Sequence, residues 1–127
     1  MRTVMFPDPV SEIITYLGKH IDGDLSQEPR PDDHLGLYVQ VVDGGGTHYE
    51  TVMDDARVIV EVSHKDSVVA SEQARLCDAL LRAYATPVGR WLATVSRPHY
   101  EPDPDMRVPV YQLTHTIRFR GVEVDVP

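Results

Sequence analysis

The 127-residue chain carries 20 acidic and 12 basic side chains, for a formal net charge of -8 and a calculated pI near 5.0. That length supports one core, and 42% hydrophobic with 25% charged residues are the proportions of a folded domain, not a disordered one. The longest apolar runs, such as Val58-Ile59-Val60, fall far short of the about 20 residues a membrane span needs, and the acidity argues against binding won by phosphate neutralisation.

Met1 to Phe6 lead directly into Pro7-Asp8-Pro9, which leaves no signal-peptide core, and a single Cys77 fits a reducing compartment; the protein is expected to stay where it is made. Asp8 is placed to cap a helix with Pro9 at its first position. Val10, Ile13, Ile14, Leu17 and Ile21 then form one apolar stripe, weakened by Gly18 and stopped by Gly23. Residues 22 to 34, with Pro29, Pro31 and Asp32-Asp33, follow neither period and read as an exposed loop.

From Leu35 the period is two: Leu35, Leu37, Val39 and Val41 share one face of a predicted strand, and Ala56, Val58, Val60 and Val62 repeat the pattern in a second. Between them Asp43-Gly44-Gly45-Gly46-Thr47 supplies the positive backbone angles of a reversal, so a long hairpin with a flexible glycine-rich tip is expected. Asp66-Ser67 signals a second helix, from about Ser67 to Ala85, with Val69, Gln73, Leu76, Leu80 and Tyr84 at helical spacing. Trp91, Ala93 and Val95 begin a third strand cut at Pro98. His99 to Pro109, with Pro102 and Pro104, reads as a stiff acidic loop or bent strand edge. Tyr111, Leu113, His115, Ile117 and Phe119 alternate with Gln112, Thr114, Thr116, Arg118 and Arg120, giving a last strand with one dry and one wet face. The expected fold is a single α+β domain over residues 1–127, in α-β-β-α-β-β order, with two helices packed on one face of a mainly antiparallel sheet.

Catalytic and metal signatures are missing from the sequence. His20, His34, His48, His64, His99 and His115 are dispersed, with no HxxxH or HExxH, and His115 reads as a hydrogen-bonded core or interface residue. Asp32-Asp33, Asp54-Asp55 and Asp103-Pro104-Asp105 all fall in predicted loops, where solvated charge is the simplest reading. The triple glycine lacks the Lys-Ser/Thr of a phosphate-binding loop. Ser63, His64 and Asp66 lack a nucleophile elbow, and Cys77 on the inner side of a helix reads as a small hydrophobe. A non-enzyme without cofactor or metal is expected.

The order of elements resembles the tail terminator (tail completion) proteins of long-tailed bacteriophages and prophages. The likeness extends over about residues 5 to 121. It includes the opening Met5-Phe6-Pro7-Asp8-Pro9-Val10, the glycine-rich hairpin before Ala56-Arg57-Val58-Ile59-Val60-Glu61-Val62, and the helix Ala74-Arg75-Leu76-Cys77-Asp78-Ala79-Leu80-Leu81. It continues through Tyr100-Glu101-Pro102-Asp103-Pro104-Asp105 and the strand from Tyr111 to Gly121. The resemblance implies a structural virion protein of the tail-neck region, assembled in the bacterial cytoplasm. In such a protein a hexameric ring binds the end of the tail tube, stops its polymerisation and presents a surface to neck or head completion proteins. DNA would pass through without specific binding, and no membrane is involved; six copies at -8 each carry -48, which repels phosphate.

Two segments are the candidate partner contacts. The first is the hairpin tip, Gly44, Gly45, Gly46, Thr47, His48 and Tyr49, for which a merely flexible turn is the other reading. The second is the loop carrying His99, Tyr100, Asp103 and Asp105, with Tyr100 as an aromatic anchor. A different class of function is a small acidic binding or immunity-type protein acting against a basic partner. A weaker third is a small hydrolase built from dispersed His and Asp.

Overall fold

The computed structural model describes residues 1–102, 105 and 107–127. The elements run β1 (Arg2–Met5), α1 (Pro9–Gly18), β2 (Asp24–Ser26), β3 (Tyr38–Glu50), β4 (Met53–Ser63), α2 (Ser67–Arg82), β5 (Gly89–Tyr100), β6 (Val110–Arg120) and β7 (Val122–Asp125). The fold is α+β. All six expected elements occur in the expected order, as α1, β3, β4, α2, β5 and β6, with three short strands added.

Local chemistry starts both helices. The Asp8 carboxylate accepts from the amides of Val10 and Ser11 at 3.0 and 3.5 Å, and Pro9 gives up no hydrogen bond at the first helical position. Asp66 does the same for α2 through the Val68 amide at 2.9 Å. Val10, Ile13 and Leu17 turn inward from α1, as do Ala70, Ala74, Cys77 and Leu81 from α2. Tyr16 joins the two helices by donating its hydroxyl to the Leu80 carbonyl at 2.6 Å.

Five strands form the main sheet in the order β2-β3-β4-β6-β5, antiparallel except for the β2–β3 pair. The inner face carries Val39 and Val41, then Ala56, Val58, Val60 and Val62, then Leu113, His115, Ile117 and Phe119, all buried. Both helices pack on it: α1 lies against β2, β3 and β4, and α2 against β4, β5 and β6. Burying each Leu, Ile or Phe here contributes roughly 1.5–3 kcal/mol. Among the described residues, no helix lies over the opposite face.

Four expectations are corrected. The glycine run is not the hairpin tip: pairing continues past it to Glu50 opposite Met53, so Thr51-Val52 make the turn and Gly44–Gly46 form a bulge within β3. The bulge absorbs a register shift between Asp43 and Gly46, and the positive φ of Gly45 and Gly46 (81° and 131°) is what the glycines supply. β5 is not cut at Pro98 but runs on to Tyr100; Pro98 falls inside one of three register irregularities of an edge strand, where its missing N–H is tolerated. The 22–34 loop contains β2, three residues pairing in parallel with Tyr38–Gln40. Leu35 lies outside β3 and is exposed.

The chain ends form a separate ribbon. β1 and β7 pair antiparallel, with Arg2 opposite Asp125 and Met5 opposite Val122. Arg2 contacts Glu123 and Asp125 at 3.0 and 3.1 Å, exposed pairs worth little by themselves. Gly121 joins the ribbon to β6, because a Cβ there would collide with Val4 and press on Phe6.

Candidate interaction surfaces

The two predicted contact segments lie at opposite ends of the sheet. Along β4, Met53 faces Arg120 at one end and Ser63 faces Val110 at the other, a span of about 30 Å at the rise of a strand. Thr47, His48 and Tyr49 belong to the first end, while His99 and Tyr100 belong to the second, where Tyr100 pairs with Tyr111. Asp103 lies outside the described residues.

At the hairpin end the side chains hold one another. Arg118 donates to both oxygens of Asp55, at 2.7 and 3.0 Å, and its guanidinium sits 4.0 Å from the centre of the Tyr49 ring. His48 stacks on Phe6 with ring centres 4.7 Å apart and meets Asp54 at 3.0 Å. The Gly121 amide closes the end by donating to the Val52 carbonyl at 2.8 Å. This leaves Tyr49, Val52, Met5 and Val122 as exposed large apolar side chains. Thr47 lines a shallow depression with Gly46, Asp55, Arg57 and Thr116.

The opposite end holds a cavity of about 250 Å³ on the sheet face away from the helices. Tyr38, Gln40, Glu61, Ser63 and Val110 form its floor, and Pro29, Arg30, Asp32, Glu101 and Asp105 its walls. Its rim is built by the 27–34 segment. Tyr38 donates to the Glu28 carbonyl at 2.7 Å and Gln40 to that of Gln27 at 3.2 Å, while one Arg30 nitrogen, Nη1, gathers the carbonyls of Pro31, Asp32 and His34. The Nε of Arg30 is buried without a partner among the described residues. Glu61 accepts from Gln112 at 3.0 Å, and His99 approaches Glu101 at 3.3 Å. Among the described residues, four carboxylates and one guanidinium line the cavity.

Between helix and sheet lies a buried polar cluster. His115 has no exposed surface; its Nε2 is 2.8 Å from Asp78, and its Nδ1 accepts from Trp91 Nε1 at 3.0 Å, with the Thr94 hydroxyl at 3.3 Å. Burial pushes the His115 pKa below its ordinary value, opposed by the Asp78 hydrogen bond and charge. Of the two expected places for a hydrogen-bonded His115, core or interface, the chain puts it in the core. Cys77 is fully buried, and burial followed by the neighbouring Asp78 pushes its thiol up to about 12, the state of a packing group. Ser63, His64 and Asp66 do separate structural work: Ser63 donates to the Tyr38 carbonyl, and His64 accepts the Asp66 amide while Asp66 caps α2.

The sequence reading passed over Arg30, Glu61, Arg57, Arg90 and Arg118 as contact residues. For Arg118 and Arg120 a signal existed in the β6 alternation, which puts both on the wet face; for Arg30 and Glu61 none did, because their proximity depends on how the 27–34 segment folds back over the sheet. No protein-family model matches the chain, and no curated protein matches it.

Proposed function

We propose that the protein is a tail terminator: copies form a hexameric ring on the end of a phage tail tube, stop its growth and present a surface to neck or head completion proteins. The observation that carries this reading, beside the resemblance of residues 5 to 121, is the pair of open sheet edges. Among the described residues no strand pairs with the outer side of β3 from Val41 to Glu50, or with that of β5 beyond Trp91. An edge at each side of one sheet suits a heterologous contact, which repeats from copy to copy until a ring closes. The charge of -8 per copy suits a ring through which DNA slides without sticking.

The test is assembly. Adding the protein to polymerising tail-tube subunits of the same phage should halt elongation, and negative-stain images should show a ring at one tube end. Tubes that lengthen unchecked, with the protein unbound, would overturn the proposal. A second reading, a small acidic domain binding a basic partner, draws on the cavity lined by Asp32, Glu61, Glu101 and Asp105. It predicts a monomer or dimer indifferent to tube ends.

A further inference from the structure

Basic side chains are scarce in this acidic chain, yet four arginines meet on one end of the sheet face that no helix covers. Arg118 and Arg120 alternate outward from β6, Arg90 is the cross-strand partner of Arg118 on β5, and Arg57 faces Thr116 from β4. Paired residues share a face of the sheet, so all four point to the same side. Arg57, Arg90 and Arg120 are exposed and make no ion pair among the described residues. The carboxylates nearby are Asp55, engaged by Arg118, and Glu50. Two depressions mark the surface, one lined by Met53, Val88, Arg90, Arg118 and Arg120 and the other by Thr47, Asp55, Arg57 and Thr116. Like charges brought this close on a solvated sheet repel one another, and an acidic occupant relieves that repulsion.

The same molecule supplies the complement. Toward the other end of the same face, Asp32, Glu61, Glu101 and Asp105 line the cavity together with Arg30, Glu61 lying four residues along β4 from Arg57, about 13 Å at the rise of a strand. We infer that the arginine face docks the acidic end of a second copy of this chain, Glu101 and Asp105 of one protomer meeting Arg90 and Arg120 of the next. The inference rests on the ring reading and deepens it by adding a charged docking surface to the contact that the open edges of β3 and β5 suit. It also explains why the two contact segments sit at opposite ends of the sheet: one end is the donor of each contact and the other its acceptor. A contact between unlike surfaces leaves one of each open on every growing chain of subunits, so assembly continues until it closes.

Charge reversal tests this in the full-length protein. Arg90→Glu/Arg120→Glu reverses the face and spares Arg118, and Glu101→Arg/Asp105→Arg reverses the acidic end; circular dichroism confirms that each variant folds. By sedimentation velocity each variant alone should associate at least about tenfold more weakly than wild type, the cost of placing like charges opposite one another. Mixing the two variants should restore assembly, because each then offers the surface the other needs. Wild-type association should weaken with added salt. Rings that form equally well from either variant alone overturn this inference and leave the ring reading standing. A wild type that assembles only to a charge-dependent dimer overturns the ring reading and keeps the contact. A wild type that stays monomeric at high concentration and on tube ends overturns both.

Discussion

The indole N–H of Trp91 donates to Nδ1 of His115 across 3.0 Å, which makes that nitrogen an acceptor and puts the imidazole proton on Nε2, facing Asp78 at 2.8 Å. The bond fastens edge strand β5 to β6 beside a stretch whose backbone ladder is interrupted by register shifts, and it holds only while His115 is neutral. Asp78 and Arg82, both on α2, act on the charge of the ring, Asp78 favouring its protonated form and Arg82 opposing it.

Because burial holds the folded-state pKa of His115 below its ordinary value, the unfolded chain takes up the proton first as pH falls. Stability from this group is therefore complete above about pH 6.5 and declines as pH drops from there toward the lower folded value. Urea unfolding of wild type and His115→Gln should show the variant weaker by about 1–3 kcal/mol at pH 8, from the broken buried network, with the gap narrowing by pH 5.5. A gap of constant size across that range would remove His115 as the source of pH dependence.

Gly46 separates the two readings of the glycine run. At its φ of 131°, an added β-carbon would run into the Asp55 carbonyl oxygen and press on the Arg57 amide nitrogen, which leaves no place for a methyl group, whereas Gly45 at φ 81° faces open space. Gly46→Ala should cost about 2 kcal/mol or more, and Gly45→Ala only about 1, from backbone strain alone. Thermal melts of the two variants check this, and equal tolerance at both positions would mean the bulge is not formed in solution.

How much of this was legible beforehand follows from the range of the interactions involved. Periodicity located α1, α2, β3, β4 and β6, since Ile13, Val58 and Ile117 sit in runs long enough to show a repeat. Three-residue β2 and four-residue β1 and β7 show none, and their pairing is set by partners distant in the chain, such as Met5 with Val122. Three glycines in a row resemble a turn locally, but the register of β3 is imposed from outside, by Arg118 reaching Asp55 and Tyr49 and by β6 extending β4 as far as Met53. The arginine face and the acidic cavity failed to show in the sequence for the same reason. Arg57, Arg90 and Arg118 are separated by tens of residues and meet only through the β4-β6-β5 order.

Cys77 should be inert in the native protein. It is buried against the sheet with its thiol pushed up to about 12, so almost none is thiolate at neutral pH. A thiol reagent such as DTNB should label it at the rate of global unfolding and at full speed in urea. Immediate labelling of folded protein would show that α2 lifts from the sheet far more readily than its packing implies. Cys77→Ser should destabilise by about 1–3 kcal/mol, because it puts a hydroxyl in place of an apolar group within the buried layer of Ala74 and Leu81.

Arg118 orders the hairpin end from the wet face of the sheet, bonding Asp55 and covering Tyr49, while the core beneath it is built by Ile117 and Phe119. Arg118→Met keeps much of the side-chain bulk over Tyr49 but removes the charge and both hydrogen bonds. Hydrogen exchange should then accelerate severalfold at the amides of residues 46–53, with those of Val58, Val60 and Leu113 unchanged, since local opening of the strand ends does not require the core to unfold. Equal acceleration in both regions would tie the hairpin end to the global transition. Unchanged protection in both would show that Phe6 stacked on His48 and the Gly121 amide on Val52 hold it without the arginine.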